Sequence, residues 1–165
     1  MKVLIAYISR TGNTKKVAQA IFEEIKAKKE LKELSQVNSL EGYDLIFVGF
    51  PIEGFGPAKE AAGFLEKYAA GKNVALFITH AAIEDSPNLS PWLDKCKTAA
   101  AKANLKGVFD CQGELPEKIA EYMLQSKDEK LIAWAKMRPS TMGQPDSVRL
   151  QRARDWSKEI MKSGT

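Results

Sequence analysis

Lys2 to Ile8 is a continuous apolar run rich in β-branched residues, and it turns polar at Ser9 just before a helical pattern begins at Asn13. Such a run is expected of a strand buried on both faces. From Asn13 to Lys29, Val17, Ala18, Ile21, Phe22 and Ile25 line one stripe of a helix. Lys15, Lys16, Glu23, Glu24, Lys26 and Lys28 take its other face.

The alternation continues along the chain. Leu34 to Val37 is a weak strand candidate, and Asp44 to Phe50 is a strong one. Pro57 suits the first turn of a helix carried by Ala58, Ala61, Ala62 and Leu65. Asn73 to Thr79 predicts another buried strand, and Ser90-Pro91 predicts the start of a helix through Trp92, Leu93, Cys96, Ala99, Ala100 and Ala103. Lys106 to Cys111 supplies a fifth strand. Helix follows Leu115-Pro116, broken near Ser126 to Asp128, and Asp146 caps a last helix with Leu150, Ala153, Trp156 and Ile160 inward. Arg138 to Gln144 reads as a loop of breaker residues, too short for a domain boundary. Strands alternating with helices point to a parallel sheet wrapped on both faces, joined by right-handed crossovers. The expectation is one α/β domain over residues 1–165, doubly wound in three layers.

Composition removes several functional classes. Hydrophobic residues make up 44% of the 165, enough to bury a core without disulfides or metals. Cys96 and Cys111 form no metal-ligand or redox spacing, and the single histidine, His80, rules out a His-rich metal site. No nucleophile pair or general base stands out, so no catalytic residue is assigned. The first apolar run is too short to span a membrane, and no small-residue cleavage site follows it. A cytoplasmic protein without a membrane partner is the expectation. The net charge of +4 belongs to the closing segment: residues 1–135 carry 18 basic and 18 acidic side chains, residues 136–165 carry 7 and 3. Arg149, Arg152 and Arg154 lie among Asp155 and Glu159 on a helix, the pattern of a solvated face, which argues against nucleic acid.

In open parallel sheets, ligands bind beyond the carboxyl ends of the strands. After the first strand the chain reads Ser9-Arg10-Thr11-Gly12-Asn13-Thr14 and enters a helix. Three hydroxyls, a glycine and an asparagine are more than a helix cap needs, and the backbone N–H groups of such a loop can converge on a phosphate at the positive end of the helix dipole. The loop lacks the spacing of a P-loop or of a dinucleotide fingerprint.

Ser9, Thr11, Gly12 and Thr14 match the phosphate-loop pattern of the flavodoxins, which the chain resembles at the other strand ends too. Gly49 to Pro57 is similar to the loop along one face of the flavin ring, Thr79 to Asp85 stands in the place of the second ring loop, and Gly107 to Gly113 resembles the fifth strand and loop of a subgroup. The resemblance implies strand order 2-1-3-4-5 and FMN as cofactor. Its phosphate would lie on Ser9, Arg10, Thr11, Gly12, Asn13 and Thr14, and its ring beside Pro51, Ile52, Glu53, Gly54, Phe55 and Gly56 and beside Thr79, His80, Ala81 and Ala82. Arg10 could pair with the phosphate or face solvent, and His80 could tune the flavin or be a satisfied loop histidine. Gly54 is the candidate for a redox-linked peptide reorientation near the ring. The family's usual Trp–Tyr sandwich is missing: the second loop offers Phe55, and the third has no aromatic before Trp92, which reads as core. Glu53, Glu84, Asp85, Asp110 and Glu114 together would surround the ring edge with negative charge. The implied role is a low-potential carrier of electrons between redox partner proteins, working as a monomer or weak homodimer. An NAD(P)H-dependent oxidoreductase of small molecules and a flavin-free interaction module are the alternatives.

Overall fold

The computed structural model describes residues 1–163. Five parallel strands form its centre: β1 (Lys2–Tyr7), β2 (Lys28–Glu33), β3 (Leu45–Glu53), β5 (Asn73–His80) and β6 (Asn104–Gln112). Their spatial order is β2-β1-β3-β5-β6, and a short strand β4 (Gly56–Pro57) pairs antiparallel with the end of β3. Counting the five long strands in chain order gives 2-1-3-4-5, the expected winding. β1, β3 and β5 are buried almost throughout because both their faces are covered.

One face carries α1 (Asn13–Glu24) and α7 (Ser147–Ser163), which sandwich Val3, Ile5, Phe47 and Phe77 with Val17, Ile21, Ala153 and Ile160. Phe47 meets Trp156 edge to face at 5.6 Å. The other face carries α2 (Lys59–Tyr68) and α3 (Leu89–Ala99) over Leu4, Ile46, Val48, Leu76 and Ile78. Three further helices, α4 (Glu117–Leu124), α5 (Glu129–Lys136) and the single turn α6 (Arg138–Thr141), fill the stretch between β6 and α7.

Several boundaries differ from the sequence expectation. The helix expected to reach Lys29 stops at Glu24, and Lys28–Glu33 becomes the edge strand β2, while Leu34–Gln36 is a 3₁₀ turn rather than a strand. β2 pairs only with β1, so lysine and glutamate side chains can extend from its open side, a usual way of blunting an edge. Pro57 belongs to β4, not to the following helix. α3 starts at Leu89, ahead of Ser90-Pro91, and ends at Ala99. The break near Ser126 to Asp128 is present, with Asp128 accepting from the Lys130 amide, and Asp146 caps α7 through the Arg149 amide. Among the described residues, no helix is long and apolar enough to cross a membrane.

Candidate functional site

The loops that leave β1, β3, β5 and β6 meet at one edge of the sheet. Immediately after β1, the Ile8 amide donates to the Gly49 carbonyl at 2.9 Å and fixes the first loop beside β3. Gly12 stands at the head of α1 with φ of 97°, a left-handed conformation that glycine adopts without strain. The Ser9 hydroxyl oxygen accepts from the amides of Gly12 (3.1 Å) and Lys15 (3.3 Å). The first amides of a helix have no carbonyl of their own to bond. Here those of Asn13 and Thr14, and the Thr11 amide just ahead of the helix, find no protein acceptor among the described residues.

The loop's side chains divide their tasks. Thr11 is exposed beside the amides. The Thr14 hydroxyl is fully buried 2.8 Å from that of Thr79, joining the head of α1 to the end of β5. Asn13 donates its side-chain amide to the Glu114 carbonyl at 2.9 Å, joining the same helix to the loop after β6. Arg10 turns away: Nε and Nη2 engage both oxygens of Glu53 (2.7 and 3.1 Å), and Nη2 also engages Glu60 (2.8 Å). It therefore straps the first loop to the second instead of offering a free cation. The Glu60 carboxyl is held below its usual range by its own backbone amide and by Arg10.

In the second loop Pro51 and Ile52 finish β3, and Ile52 pairs with Pro57 as Glu53 pairs with Gly56. Only Gly54 and Phe55 turn the hairpin, with φ of 55° and 65°, the two positive values of a type I′ turn. Gly54 takes this conformation freely, whereas for a phenylalanine it is unfavourable. Phe55, 44% exposed, meets Trp92 at a ring separation of 5.3 Å and Trp134 at 5.6 Å, and the two indoles meet each other at 5.3 Å. Trp92 is therefore not a core residue. Leu89, Leu93 and Cys96 occupy the inward stripe of α3, and Trp92 is half-buried against the hairpin.

Trp134 is the residue that the sequence reading missed. Its neighbours Leu131, Ile132 and Ala135 give α5 an ordinary apolar pattern, so nothing local marks the indole as belonging at the sheet edge. What carries it there is the anchoring of residues 115–145. The Leu115 amide donates to Thr141 Oγ1 (2.9 Å), the Glu114 amide to the Gln144 carbonyl (3.0 Å) and Arg138 Nε to the Leu115 carbonyl (3.1 Å). Leu115, Ala120 and Ala135 then pack with Met123 against Ala81 of the third loop.

That third loop is held from behind. Thr79 and His80 are buried, and the His80 carbonyl accepts from the Gly113 amide at 2.7 Å. The imidazole lies with Nε2 3.0 Å from Asp110 Oδ2 and Nδ1 3.1 Å from the Ala82 carbonyl oxygen. Both ring nitrogens face acceptors, so only the doubly protonated ring donates to both at once. Ala81 and Ala82 are half-buried at the edge that His80 supports.

The expected acidic rim is largely neutralised within the fold. Glu84 meets Arg149 at 2.8 Å and Arg152 at 2.9 Å, Glu53 meets Arg10, and Glu114 meets Arg138 at 3.5 Å. Of the five, Asp85 and Asp110 have no Lys or Arg partner among the described residues, and Asp110 is hydrogen-bonded to His80. Burial alone would push the Glu84 carboxyl up, but the Gln112 amide and the guanidinium groups of Arg152 and Arg149 outweigh it and hold the carboxyl below its usual range. Arg154 with Glu23 and Lys158 with Glu24 use more of the closing segment's charge to seat α7 beside α1. Both cysteines are buried and free, their thiols pushed up to about 12 by burial.

Chemically, residues 9–14 present hydroxyls and amides and no carboxylate, a donor set for a phosphate monoester at a helix N-terminus. The hairpin that Arg10 ties to this loop carries Phe55 and, through it, the packed aromatic trio.

Known proteins share this fold. A family model for a flavodoxin domain matches residues 4–155. A flavodoxin-like domain-containing protein, BilS, of Clostridioides difficile (strain CD3) is 30% identical over 171 residues, covering 98% of this chain and 97% of the relative. Among solved structures, oxidised flavodoxin 2 from Bacillus cereus superposes with a TM-score of 0.63 at 19% identity, covering 99% of both chains. A flavoprotein in complex with FMN from Lactobacillus acidophilus NCFM has a TM-score of 0.55 at 27% identity, covering 66% of this chain and 92% of its own.

Proposed function

The chain belongs to the flavodoxin family, and from that membership we propose that it binds FMN over the ends of β1, β3 and β5 and carries electrons between redox partner proteins. FMN, when bound, supplies the redox chemistry by taking up and releasing electrons at its ring. The donor set suits that cofactor. The three unclaimed amides of Thr11, Asn13 and Thr14, with the exposed Thr11 hydroxyl, are the observation that carries the reading. They can hold a phosphate dianion without a neutralising cation, aided by the α1 dipole. The presence of FMN in the Lactobacillus acidophilus flavoprotein supports the same assignment.

The other residues orient and shield. The Arg10–Glu53 strap holds the first loop to the second, and the Thr14–Thr79 bond holds it to the third. Phe55, Trp92 and Trp134 exclude water from the hairpin side, which makes up for the aromatic absent from the third loop. Pairing of Glu53, Glu84 and Glu114 with arginines weakens the negative field of the rim, so partner choice rests more on shape and apolar contact than on a strong field.

Purified protein tests this directly. A carrier reduces slowly with NAD(P)H and a quinone alone but exchanges electrons readily with a reduced protein donor. Rapid NAD(P)H oxidation without a partner would make the chain an oxidoreductase instead.

A further inference from the structure

A groove of about 570 Å³ opens on the α2 side of the same sheet edge, between α2 and the 3₁₀ turn after β2. It adjoins the first loop through Ser9 and Arg10, yet it is not needed for the site described above. Its walls combine aromatic rings with polar ends. Tyr68 and Phe64 lie together at 5.2 Å on α2, and Glu33 marks the end of β2 on the opposite wall. Lys67 makes no ion pair among the described residues and rests over the Tyr68 ring at 4.8 Å.

Gly63 is the residue that points to an occupant. It lies inside α2, where glycine is a poor helix former compared with alanine. A Cβ built on it meets nothing within 4 Å, and its backbone is not in a left-handed conformation, so neither packing nor a turn calls for glycine. It lines the groove, where the missing side chain keeps the helix backbone open to close approach.

We propose that this groove binds a ribonucleoside phosphate, free or as one half of a dinucleotide. A planar base fits the Tyr68 and Phe64 wall over the bare backbone of Gly63. Glu33 lines the groove at the end of the second strand, where a carboxylate of a doubly wound sheet can accept from ribose hydroxyls; its side chain also accepts from the Gln36 backbone amide at the head of the 3₁₀ turn, so its remaining lone pairs are the ones open to a ribose. Lys67 supplies the charge for the phosphate. Glu33 also disfavours a second phosphate on the ribose, so the groove prefers an unmodified 2′-hydroxyl.

The test is an amide NMR titration of the full chain with AMP, with NADH and with NADPH, recorded with and without FMN. AMP and NADH are expected to shift the signals of Gly63, Tyr68 and Ser35, and NADPH at least tenfold more weakly. Shifts from NADH alone would identify the dinucleotide as the source, and equal shifts from AMP a free nucleotide. Gly63→Leu is expected to weaken binding at least tenfold and Glu33→Gln several-fold, while Gly63→Ala raises the melting temperature. Absence of shifts at millimolar ligand, or shifts indifferent to both Gly63→Leu and Glu33→Gln, would overturn the proposal. The visible spectrum of added FMN reports the first site separately, so failure of one reading leaves the other measurable.

Discussion

The indole of Trp134 stands 5.6 Å from the ring of Phe55 at an interplanar angle of 69°, bringing the helical stretch between β6 and α7 onto the hairpin after β3. Both rings also meet Trp92, so three separate segments contribute to one aromatic cluster on the hairpin. Aromatic pairs of this kind are worth about 0.5–1.5 kcal/mol each beyond area burial.

Trp134→Ala removes two of the three contacts from a half-exposed position. FMN affinity is expected to fall roughly three- to tenfold, the equivalent of about one such pair, with a small change in melting temperature. Quenching of the remaining tryptophan fluorescence by added FMN measures it; unchanged affinity would show that the trio is not part of the cover.

Phe55→Gly sets two effects against each other. The left-handed conformation of Phe55 costs about 1–2 kcal/mol, which glycine would relieve. The lost ring contacts with Trp92 and Trp134 take away a similar amount, about 0.5–1.5 kcal/mol each. Thermal unfolding should therefore show little change while FMN titration shows weaker binding. A large loss of stability with full FMN affinity would contradict a role for this strained side chain at the site.

Glu84 links the third loop to α7 through Arg149 and Arg152, and its carboxyl is held below the usual range. A depressed carboxylate contributes stability that is fully present above its unfolded-state value and is lost as pH falls through the folded one. Glu84→Gln is expected to destabilise by about 1.5–3 kcal/mol near neutral pH, the worth of hydrogen bonds to a charged group. Melting curves of wild type and variant should converge as the pH is lowered below the ordinary carboxylate range. A difference that stays constant with pH would exclude the ion pairs as its source.

Much of this was legible from residue patterns, for reasons that differ by place. The buried strands β1, β3 and β5 announce themselves because both faces need apolar side chains, and the Ser9 to Thr14 loop because its hydroxyls exceed what a cap needs. β2 was hidden because an edge strand with one partner can be Lys-Lys-Glu-Leu-Lys-Glu and still pair by its backbone. The acidic residues at the strand ends were visible one at a time, but their cations lie far along the chain: Glu84 and Arg152 are 68 residues apart. The same distance hides Trp134, whose helix reads as any amphipathic helix until Leu115 and Thr141 pin its ends.

Gly49 shows how tightly the sheet centre is packed. A Cβ there would fall 1.9 Å from the Phe77 ring on the neighbouring strand. Gly49→Ala is expected to destabilise by about 1–3 kcal/mol or more through overpacking, and to loosen the Ile8 anchor of the first loop with it. Chemical denaturation measures the loss; wild-type stability would mean the Phe77 ring has room to move that its surroundings do not show.

The central claim is that the donor loop and the aromatic trio form one FMN site. Titrating the flavin-free chain with FMN while following both flavin absorbance and tryptophan fluorescence tests it most directly. One equivalent should bind, perturb the visible spectrum and quench the tryptophans, and Gly12→Ala, which strains the loop at its left-handed residue, should weaken all three together. Unchanged flavin and tryptophan signals across the titration would contradict the account and leave the chain a flavodoxin fold without its flavin.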